Sequence, residues 1–222
     1  MAEDRRDKFI ISIDIFTCTL ATPTHAIYFH FTRVHAGGSG VGTAATQLAR
    51  ESGCRVFVTA GTDEKIEICK KLGAIGGANY KTEEWDEKIK KLTGDRGVSA
   101  VLDCVGGSYW KQNINVLAQD GRWTLYGLMG GPKVDGAFLA MMLRKRLRLE
   151  ATTLRSRSID YKKELTKLFS DNALDLFRNG TYKVILDKKS FPFEEAQAAH
   201  EYMETNANIG KIILEITTEE EG

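Results

Sequence analysis

A glycine-rich turn, Gly37–Gly42, between a strand pattern and a helix pattern constrains the fold more than any other feature. Before the turn, Tyr28–Phe31 and Val34–Ala36 are rich in aromatic and β-branched residues, which indicates a buried strand. After the turn, Thr43–Arg50 has a helical pattern that ends before Gly53. A strand, a glycine turn and a helix in this order are typical of a loop that holds phosphate groups.

The alternation of strands and helices continues beyond this turn. The predicted elements are strands at Arg55–Thr59, in a short segment ending at Tyr80, at Val98–Asp103, Arg122–Tyr126 and Leu147–Thr152, and helices at Glu64–Leu72, Trp85–Leu92, Tyr109–Leu117 and Phe138–Arg144. Strands that alternate with helices of this length predict an α/β fold, a Rossmann-type doubly wound parallel sheet. Right-handed crossovers should connect its strands.

The chain divides into four predicted regions. Residues 1–27 are a poorly specified leader, 28–158 a nucleotide-binding domain, 159–216 a C-terminal segment, and 217–222 a disordered acidic tail. The C-terminal segment has a different order of patterns from the domain before it. It contains predicted helices at Tyr161–Phe177 and Glu194–Glu204, and predicted strands at Lys183–Asp187 and Lys211–Ile216.

Charge and hydropathy exclude two classes of partner. The formal net charge is +1, which gives no general attraction to nucleic acid or to an anionic membrane. The basic run Arg144–Arg148 is interpreted as a solvated turn and edge strand. No apolar stretch reaches the roughly 18 residues of a membrane helix. The apolar run Phe9–Phe16 weakly suggests a signal peptide, but Asp14 within it argues against secretion.

The four cysteines, Cys18, Cys54, Cys69 and Cys104, lie far apart, and none forms a C-x-x-C pair. This spacing argues against a zinc site and against a disulfide framework, and it favours a reducing, cytoplasmic setting. Cys104 follows a predicted strand, but a buried structural thiol is a better interpretation than a nucleophile.

The register of the glycine motif is ambiguous. Starting at Gly37, Ser39 replaces the middle glycine of a G-x-G-x-x-G motif; starting at Gly40, the G-x-G-x-x-A form fits through Gly42 and Ala45. Glycines are needed here because side chains would keep a pyrophosphate away from the backbone N–H groups. A tight turn that binds no ligand is the alternative.

The end of the second strand indicates which nucleotide binds. An NAD site usually has an acidic residue there, whereas this strand continues into Gly61 and Thr62. Thr62 and Lys65 suit a 2′-phosphate, so the sequence favours NADP(H). Two alternatives stay open: Lys65 as an ordinary solvated lysine, and an NAD-linked reductase.

The chain from His35 to Ile216 resembles the zinc-independent quinone oxidoreductases of the medium-chain dehydrogenase/reductase superfamily, and it looks closest to the p53-inducible quinone reductase subgroup. The stretches that carry the resemblance are His35–Ala45, Val58–Thr62, Asn79–Tyr80, Asp103–Gly107, Tyr126–Gly131, Thr152–Arg157 and Asn206–Lys211.

The resemblance implies roles for particular residues along a bound NADP(H). Ser39, Gly40, Val41 and Gly42 would hold the pyrophosphate, Lys65 and Tyr80 the 2′-phosphate, and Gly127, Leu128 and Met129 the nicotinamide, with Leu154 and Arg155 nearby and Asn208 reaching in from the C-terminal segment. The implied reaction is hydride transfer from NADPH to a quinone. No metal and no catalytic side chain is assigned.

The family's N-terminal catalytic domain has no counterpart in residues 1–33, so a truncated form is expected. In the family, the residues after Ser158 complete that domain, and an exposed apolar set is therefore expected: Phe177, Phe191, Phe193 and Ile213. A non-catalytic fragment that binds NADP(H) or dimerises is the alternative function. The resemblance also implies a homodimer through the edge strand Leu147–Thr152.

Overall fold

The structure, a computed structural model of the chain, describes residues 31–216. Both the predicted leader, 1–27, and the predicted tail, 217–222, lie outside these residues. The elements in chain order are β1 Phe31–Val34, α1 Gly40–Glu51, β2 Arg55–Ala60, α2 Asp63–Lys71, β3 Ala74–Asn79, α3 Trp85–Leu92, β4 Val98–Asp103, α4 Trp110–Val116, β5 Leu117–Leu125, α5 Phe138–Lys145, β6 Arg148–Ala151, α6 Ile159–Arg178, β7 Leu186–Pro192, α7 Ala196–Glu204 and β8 Lys211–Glu215.

Six strands form one parallel sheet in the order β3-β2-β1-β4-β5-β6. This confirms the predicted doubly wound sheet of Rossmann type. The strand order changes direction between β1 and β4. In such sheets a crevice opens at the carboxyl ends of the strands where the order reverses, and ligands bind there.

Hydrophobic side chains cover both faces of this sheet. Alternate residues of one strand point to opposite faces, and Val58 and Leu102 belong to one core cluster while Phe57 and Val101 belong to another. All four are buried. A parallel sheet covered on both faces requires such near-continuous apolar strands, which is why the sequence pattern located β2 and β4.

The C-terminal segment contributes to the first of these clusters. Ala173 of α6 and Tyr182 are buried within it, and Phe177 packs against it. Tyr182 contacts the ring of Phe177 edge-on at 5.4 Å between ring centroids. Helix α6 therefore packs against the six-stranded sheet, whereas β7 and β8 form a separate two-stranded parallel sheet.

Two expectations for the C-terminal segment are wrong. The predicted strand at Lys183–Asp187 is a strand at Leu186–Pro192. The amide of Gln47 exchanges two hydrogen bonds with the backbone of Lys183, at 2.8 and 3.0 Å, which ties this part of the chain to α1. Phe191, expected to be exposed, is buried because the ring of Tyr202 covers it at 5.8 Å. The expected exposure of Phe193 and Ile213 is confirmed, at 53% and 39%.

The basic run Arg144–Arg148 spans the end of α5 and the start of β6, and its three arginines are exposed, as expected, while Lys145 is half-buried. The Lys145 ammonium donates to the backbone carbonyls of Ile114, Asn115 and Leu117 at 2.7, 3.0 and 2.6 Å. It thus satisfies carbonyls at the end of α4, those of Ile114 and Asn115, which have no partner within the helix, and the carbonyl of Leu117 at the start of β5. Within residues 31–216, no helix combines the length and hydropathy of a membrane span.

Candidate functional site

A cleft of about 280 Å³ lies at the carboxyl ends of β1, β2 and β4, where the strand order reverses. Its walls come from the glycine turn, the tip of β2, the loops after β4 and β5, and the C-terminal segment. Of the predicted cofactor-binding residues, the ones that line it are Ser39, Lys65, Tyr80, Met129 and Asn208.

The glycine turn presents a free N–H group at the start of α1. Ser39 caps the helix, since its hydroxyl accepts from the N–H of Gly42 at 2.9 Å and its carbonyl from Thr43 at 2.9 Å. Because the first N–H groups of a helix have no partner within it, that of Val41 stays available to a ligand, while that of Gly40 faces the carbonyl of Gly210 in the parallel bridge between Ser39 and Gly210.

Gly42 lets α1 approach β1 closely. A Cβ on Gly42 would overlap the carbonyl oxygen of Ala36 and lie 2.7 Å from the Cα of Gly37. Any larger residue would push the helix away from the strand. The requirement for glycine at this position is therefore a packing requirement.

At the tip of β2, a notch is formed by Lys65 together with Tyr80 and Lys81, whose side chains pack over Gly61. A Cβ on Gly61 would meet the Tyr80 hydroxyl at 2.7 Å and the Cε of Lys81 at 3.2 Å. Burial lowers the pKa of Lys65, and the neighbouring Lys81 ammonium lowers it further. Lys81, which follows Tyr80 directly, was missed from the sequence because a single lysine after a strand is usually solvated.

The other groups at this tip have partners of their own. Thr62 caps α2, its hydroxyl accepting from the N–H of Lys65 at 3.3 Å. The Asp63 carboxylate accepts from the Asn79 amide at 3.2 Å, and Glu64 forms an ion pair with Lys188 at 3.1 Å. Thr62 lies beside the cleft without lining it, and neither carboxylate lines it.

Backbone hydrogen bonds join the loops after β4 and β5. Met129 and Gly130 donate to the carbonyls of Cys104 and Val105 at 3.0 and 2.7 Å. Gly127 packs on Cys104, where a Cβ would lie 2.9 Å from its carbonyl oxygen. Of the predicted nicotinamide residues, Met129 lines the cleft and is 75% exposed, while Gly127 and Leu128 lie in the same loop outside the lining.

Leu154 and Arg155 are not brought into the cleft. Both are exposed in the turn after β6, and the carbonyl of Arg155 accepts from the Lys162 ammonium at 3.0 Å. Asn208 does line the cleft, and its amide donates to the carbonyl of Gly210 at 3.4 Å. The C-terminal segment therefore forms part of the wall.

A buried polar network supports the cleft from below. His35 Nε2 lies 2.8 Å from Asn113 Oδ1, and the Asn113 amide donates to Asp103 at 3.0 Å. Because Asn113 Oδ1 can only accept, Nε2 carries the proton. Burial, together with Arg33, holds the pKa of His35 well below its ordinary value of 6.5. His35 is therefore neutral in the folded protein.

The Asp103 carboxylate fixes the loop that follows β4. It accepts from the N–H groups of Val105 and Gly106 at 2.6 and 3.1 Å, and from the indole of Trp123 at 2.9 Å. Burial raises its pKa, although these hydrogen bonds and Arg33 act in the opposite direction. Asp103 thereby positions Cys104 and Val105, which line the cleft.

Arg33 is fully buried in the central strand β1, which the sequence did not predict. Its guanidinium lies 3.3 Å from the ring centroid of Trp85 and donates to Thr59 and His35 at 3.2 and 3.1 Å. Its Nε and Nη1 have no hydrogen-bond partner among the described residues. Burial holds its pKa well below the ordinary value, although Asp103 raises it.

Within residues 31–216, no group of three or more His, Cys, Asp or Glu side chains is arranged to hold a metal ion. Cys54, Cys69 and Cys104 are free thiols. Burial raises the pKa of Cys69 to about 12 and also raises that of Cys104. A thiol in such surroundings is a poor nucleophile.

The family model described as "Zinc-binding dehydrogenase" matches residues 40–171. The chain belongs to the zinc-binding dehydrogenase family. This confirms the predicted membership of the medium-chain dehydrogenase/reductase superfamily, while the p53-inducible subgroup stays a prediction. The match begins at the first residue of α1, directly at the cleft.

Similarity to individual proteins extends over most of the chain. Quinone oxidoreductase 1 of Escherichia coli is 31% identical over 181 residues, which cover 81% of this chain and 55% of the relative. The 2-haloacrylate reductase of a Burkholderia species is 30% identical over 183 residues, covering 82% and 54%. The structure of the Escherichia coli quinone oxidoreductase complexed with NADPH aligns with a TM-score of 0.77 at 27% identity, covering 95% of this chain and 62% of that one. The chain thus spans about half the length of the curated relatives it matches.

Proposed function

We propose that this chain binds NADP(H) in the cleft at the carboxyl ends of β1, β2 and β4. The notch above Gly61 carries the proposal. Lys65, Lys81 and the Tyr80 hydroxyl lie around it. The Lys65 ammonium donates to the carbonyl of Asn206 at 2.6 Å, and the carboxylates of Asp63, Glu64 and Asp187 all have other partners. A 2′-phosphate placed there would meet two ammonium groups and one hydroxyl.

The cofactor would extend from this notch along the glycine turn toward the loop after β5. Ser39, Gly40, Val41 and Gly42 would receive the pyrophosphate at the start of α1, where the helix dipole favours negative charge. The nicotinamide would lie toward Gly127, Leu128 and Met129. Leu154, Arg155 and Asn208 stay assigned to this end by resemblance, and Thr62 to the phosphate notch.

The reaction proposed for the protein is the reduction of a quinone by NADPH. When bound, the cofactor would supply the hydride. The described residues would orient it: the network of His35, Asn113 and Asp103 holds the ends of β1 and β4 in place, and Met129 leaves an apolar surface at the far end of the cleft. Quinone reduction is proposed because Quinone oxidoreductase 1 and the NADPH-bound quinone oxidoreductase are similar to this chain.

Two titrations and one assay test this function. NADPH and NADH are titrated separately into the chain, and NADPH oxidation is then followed with an ortho-quinone. We expect tight binding of NADPH, weaker binding of NADH, and quinone-dependent oxidation. Lys65→Met should weaken NADPH and leave NADH unchanged, since NADH has no 2′-phosphate. Lys167→Met is the control, because Lys167 lies on α6 and pairs with Asp171 at 2.8 Å.

The alternative is a non-catalytic fragment that binds NADP(H) or dimerises. Binding of NADPH without any turnover would favour it over the reductase. Absence of any binding would contradict the NADP(H) proposal itself.

Several further properties of the protein are also proposed. We infer independence from zinc, a cytoplasmic location, and a division into residues 28–158 and 159–216. A homodimer through Leu147–Thr152 is proposed because β6 is the last strand of the sheet and Leu149 on it is 41% exposed. Sedimentation of the wild-type chain and of a Leu149→Lys variant tests the dimer, which the variant should dissociate.

A further inference from the structure

Two lysine side chains lie over two glycines of the phosphate loop. A Cβ on Gly38 would meet the Cδ of Lys65 at 2.9 Å. A Cβ on Gly40 would meet the Cδ and Nζ of Lys211 at 2.7 and 2.8 Å. The aliphatic stems therefore occupy the room that the two missing side chains leave, and the Lys211 ammonium is held at the first residue of α1.

The backbone fixes the position of Lys211 relative to this loop. Gly210 donates to the carbonyl of Gly38 at 2.8 Å and forms a parallel bridge with Ser39. Lys211 itself donates to the carbonyl of Ile185 at 2.9 Å. Gly210 has a φ of 72°, a left-handed conformation that favours glycine, and a Cβ there would overlap the Ile185 carbonyl. The constrained backbone at Gly210 thus fixes the position of Lys211 next to the glycine turn.

The exposed Lys211 ammonium lies at the positive end of a helix. The start of α1 carries the partial positive charge of the helix dipole, and a cation placed there is repelled. No ion pair joins Lys211 to a carboxylate in the part of the chain that the structure describes. An anion between the ammonium and the N–H of Val41 would remove the repulsion.

We propose that Lys211 is a cofactor-binding residue that holds the pyrophosphate of NADP(H) against the start of α1. This proposal rests on the proposed function. It assigns to the C-terminal segment a direct electrostatic role in binding, in addition to the wall formed by Asn208. It also separates two lysines by the phosphate they contact: Lys65 would bind the 2′-phosphate, which NADPH alone carries, and Lys211 the pyrophosphate, which both nucleotides carry.

The test compares Lys211→Met and Lys65→Met with both nucleotides. Methionine keeps a stem of similar length over Gly40 and removes the charge. We expect Lys211→Met to weaken NADPH and NADH by the same factor, about tenfold, as for one charge-assisted hydrogen bond. Lys65→Met should weaken NADPH alone. Lys211→Arg should restore most of the affinity, and Lys167→Met should change neither nucleotide.

The other possible results would contradict either the role of Lys211, its assignment to the pyrophosphate, or NADP(H) binding itself. If Lys211→Met, with an unchanged urea midpoint, binds both nucleotides as the wild type does, Lys211 only covers Gly40 and the inference is wrong, while the proposed function stands. If Lys211→Met weakens NADPH alone, Lys211 belongs to the 2′-phosphate and the pyrophosphate assignment is wrong. If the wild-type chain binds neither nucleotide, the proposed function and the inference are both wrong.

Discussion

The buried arginine of the central strand leads to a stability prediction that runs against the usual effect of a core mutation. Replacing Arg33 by methionine should stabilise the protein. Methionine has a similar length, so it can fill most of the space, and its sulfur can contact the ring of Trp85. The substitution removes a guanidinium that is fully buried and whose Nε and Nη1 have no hydrogen-bond partner among the described residues.

The expected change in the free energy of unfolding depends on which interactions the Arg33 guanidinium makes and which it lacks. Desolvating a buried ion costs several kcal/mol, and the present one is not within 4.0 Å of any described carboxylate. The stacking on Trp85 returns about 2 kcal/mol. Thr59 and His35 keep their mutual hydrogen bond of 3.0 Å after the substitution. Exchanging whole buried ion pairs for apolar residues has stabilised proteins by about 1–4 kcal/mol. Because the longer-range attraction between Arg33 and Asp103 is lost here, we expect a value inside that range, about 2 kcal/mol.

Urea unfolding followed by far-UV circular dichroism measures this change. Tryptophan fluorescence is unsuitable because Arg33 stacks on Trp85. With a slope of about 2 kcal/mol per M, the midpoint should rise by about 1 M. Arg55→Met is the matched control: Arg55 is exposed on the neighbouring strand and stacks on Phe31 at 4.6 Å, so its change should stay within about 0.5 kcal/mol. A lower midpoint for Arg33→Met beside a neutral control would refute the reasoning.

Three further predictions concern the cleft and its support. Gly42→Ala should lower NADPH affinity more than tenfold and reduce stability, because the new Cβ would overlap the carbonyl oxygen of Ala36. Titration with NADPH measures the affinity and urea unfolding measures the stability. A variant that is unchanged in both would contradict the packing argument. Lys81→Met should weaken NADPH by about tenfold and leave NADH unchanged in the same titration, and equal weakening of both would place Lys81 elsewhere. The free energy of unfolding should fall as the pH drops below about 6.5, by up to about 1.4 kcal/mol per pH unit. The reason is that His35 takes up a proton in the unfolded chain but not in the folded protein, where its pKa is lowered. His35→Gln should remove this slope in urea titrations at several pH values, and a slope that persists would assign it to other groups.

The sequence predicted the elements whose limits are set by local signals. Helix α3, Trp85–Leu92, and strand β4, Val98–Asp103, agree with the prediction residue for residue because glycines separate them and both have clear periodicity. Strand β7 was misplaced because Gln47, far away in sequence, determines where Lys183 pairs. A long-range contact of this kind leaves no periodic signal in the strand itself.

The residues of the candidate site likewise fall into those that a local sequence signal identifies and those that only the fold brings together. Ser39 could be found because it lies in a glycine motif whose chemistry is known, and Lys65 because it follows the end of the second strand, where NAD and NADP sites differ. Lys81 and Lys211 could not, since their relation to the notch and to Gly40 arises only when β3 and β8 are placed in the fold. Arg33 was missed because a charged residue in a strand is expected to face solvent.

The most direct test of the central claim is the ratio of the dissociation constants of NADPH and NADH for the unmodified chain, measured in parallel with Lys65→Met. The account predicts that NADPH binds at least about tenfold more tightly than NADH, because only NADPH carries the 2′-phosphate that would lie between Lys65 and Lys81. It also predicts that Lys65→Met removes most of that difference. Equal affinity for the two nucleotides, or no binding of either, would contradict it.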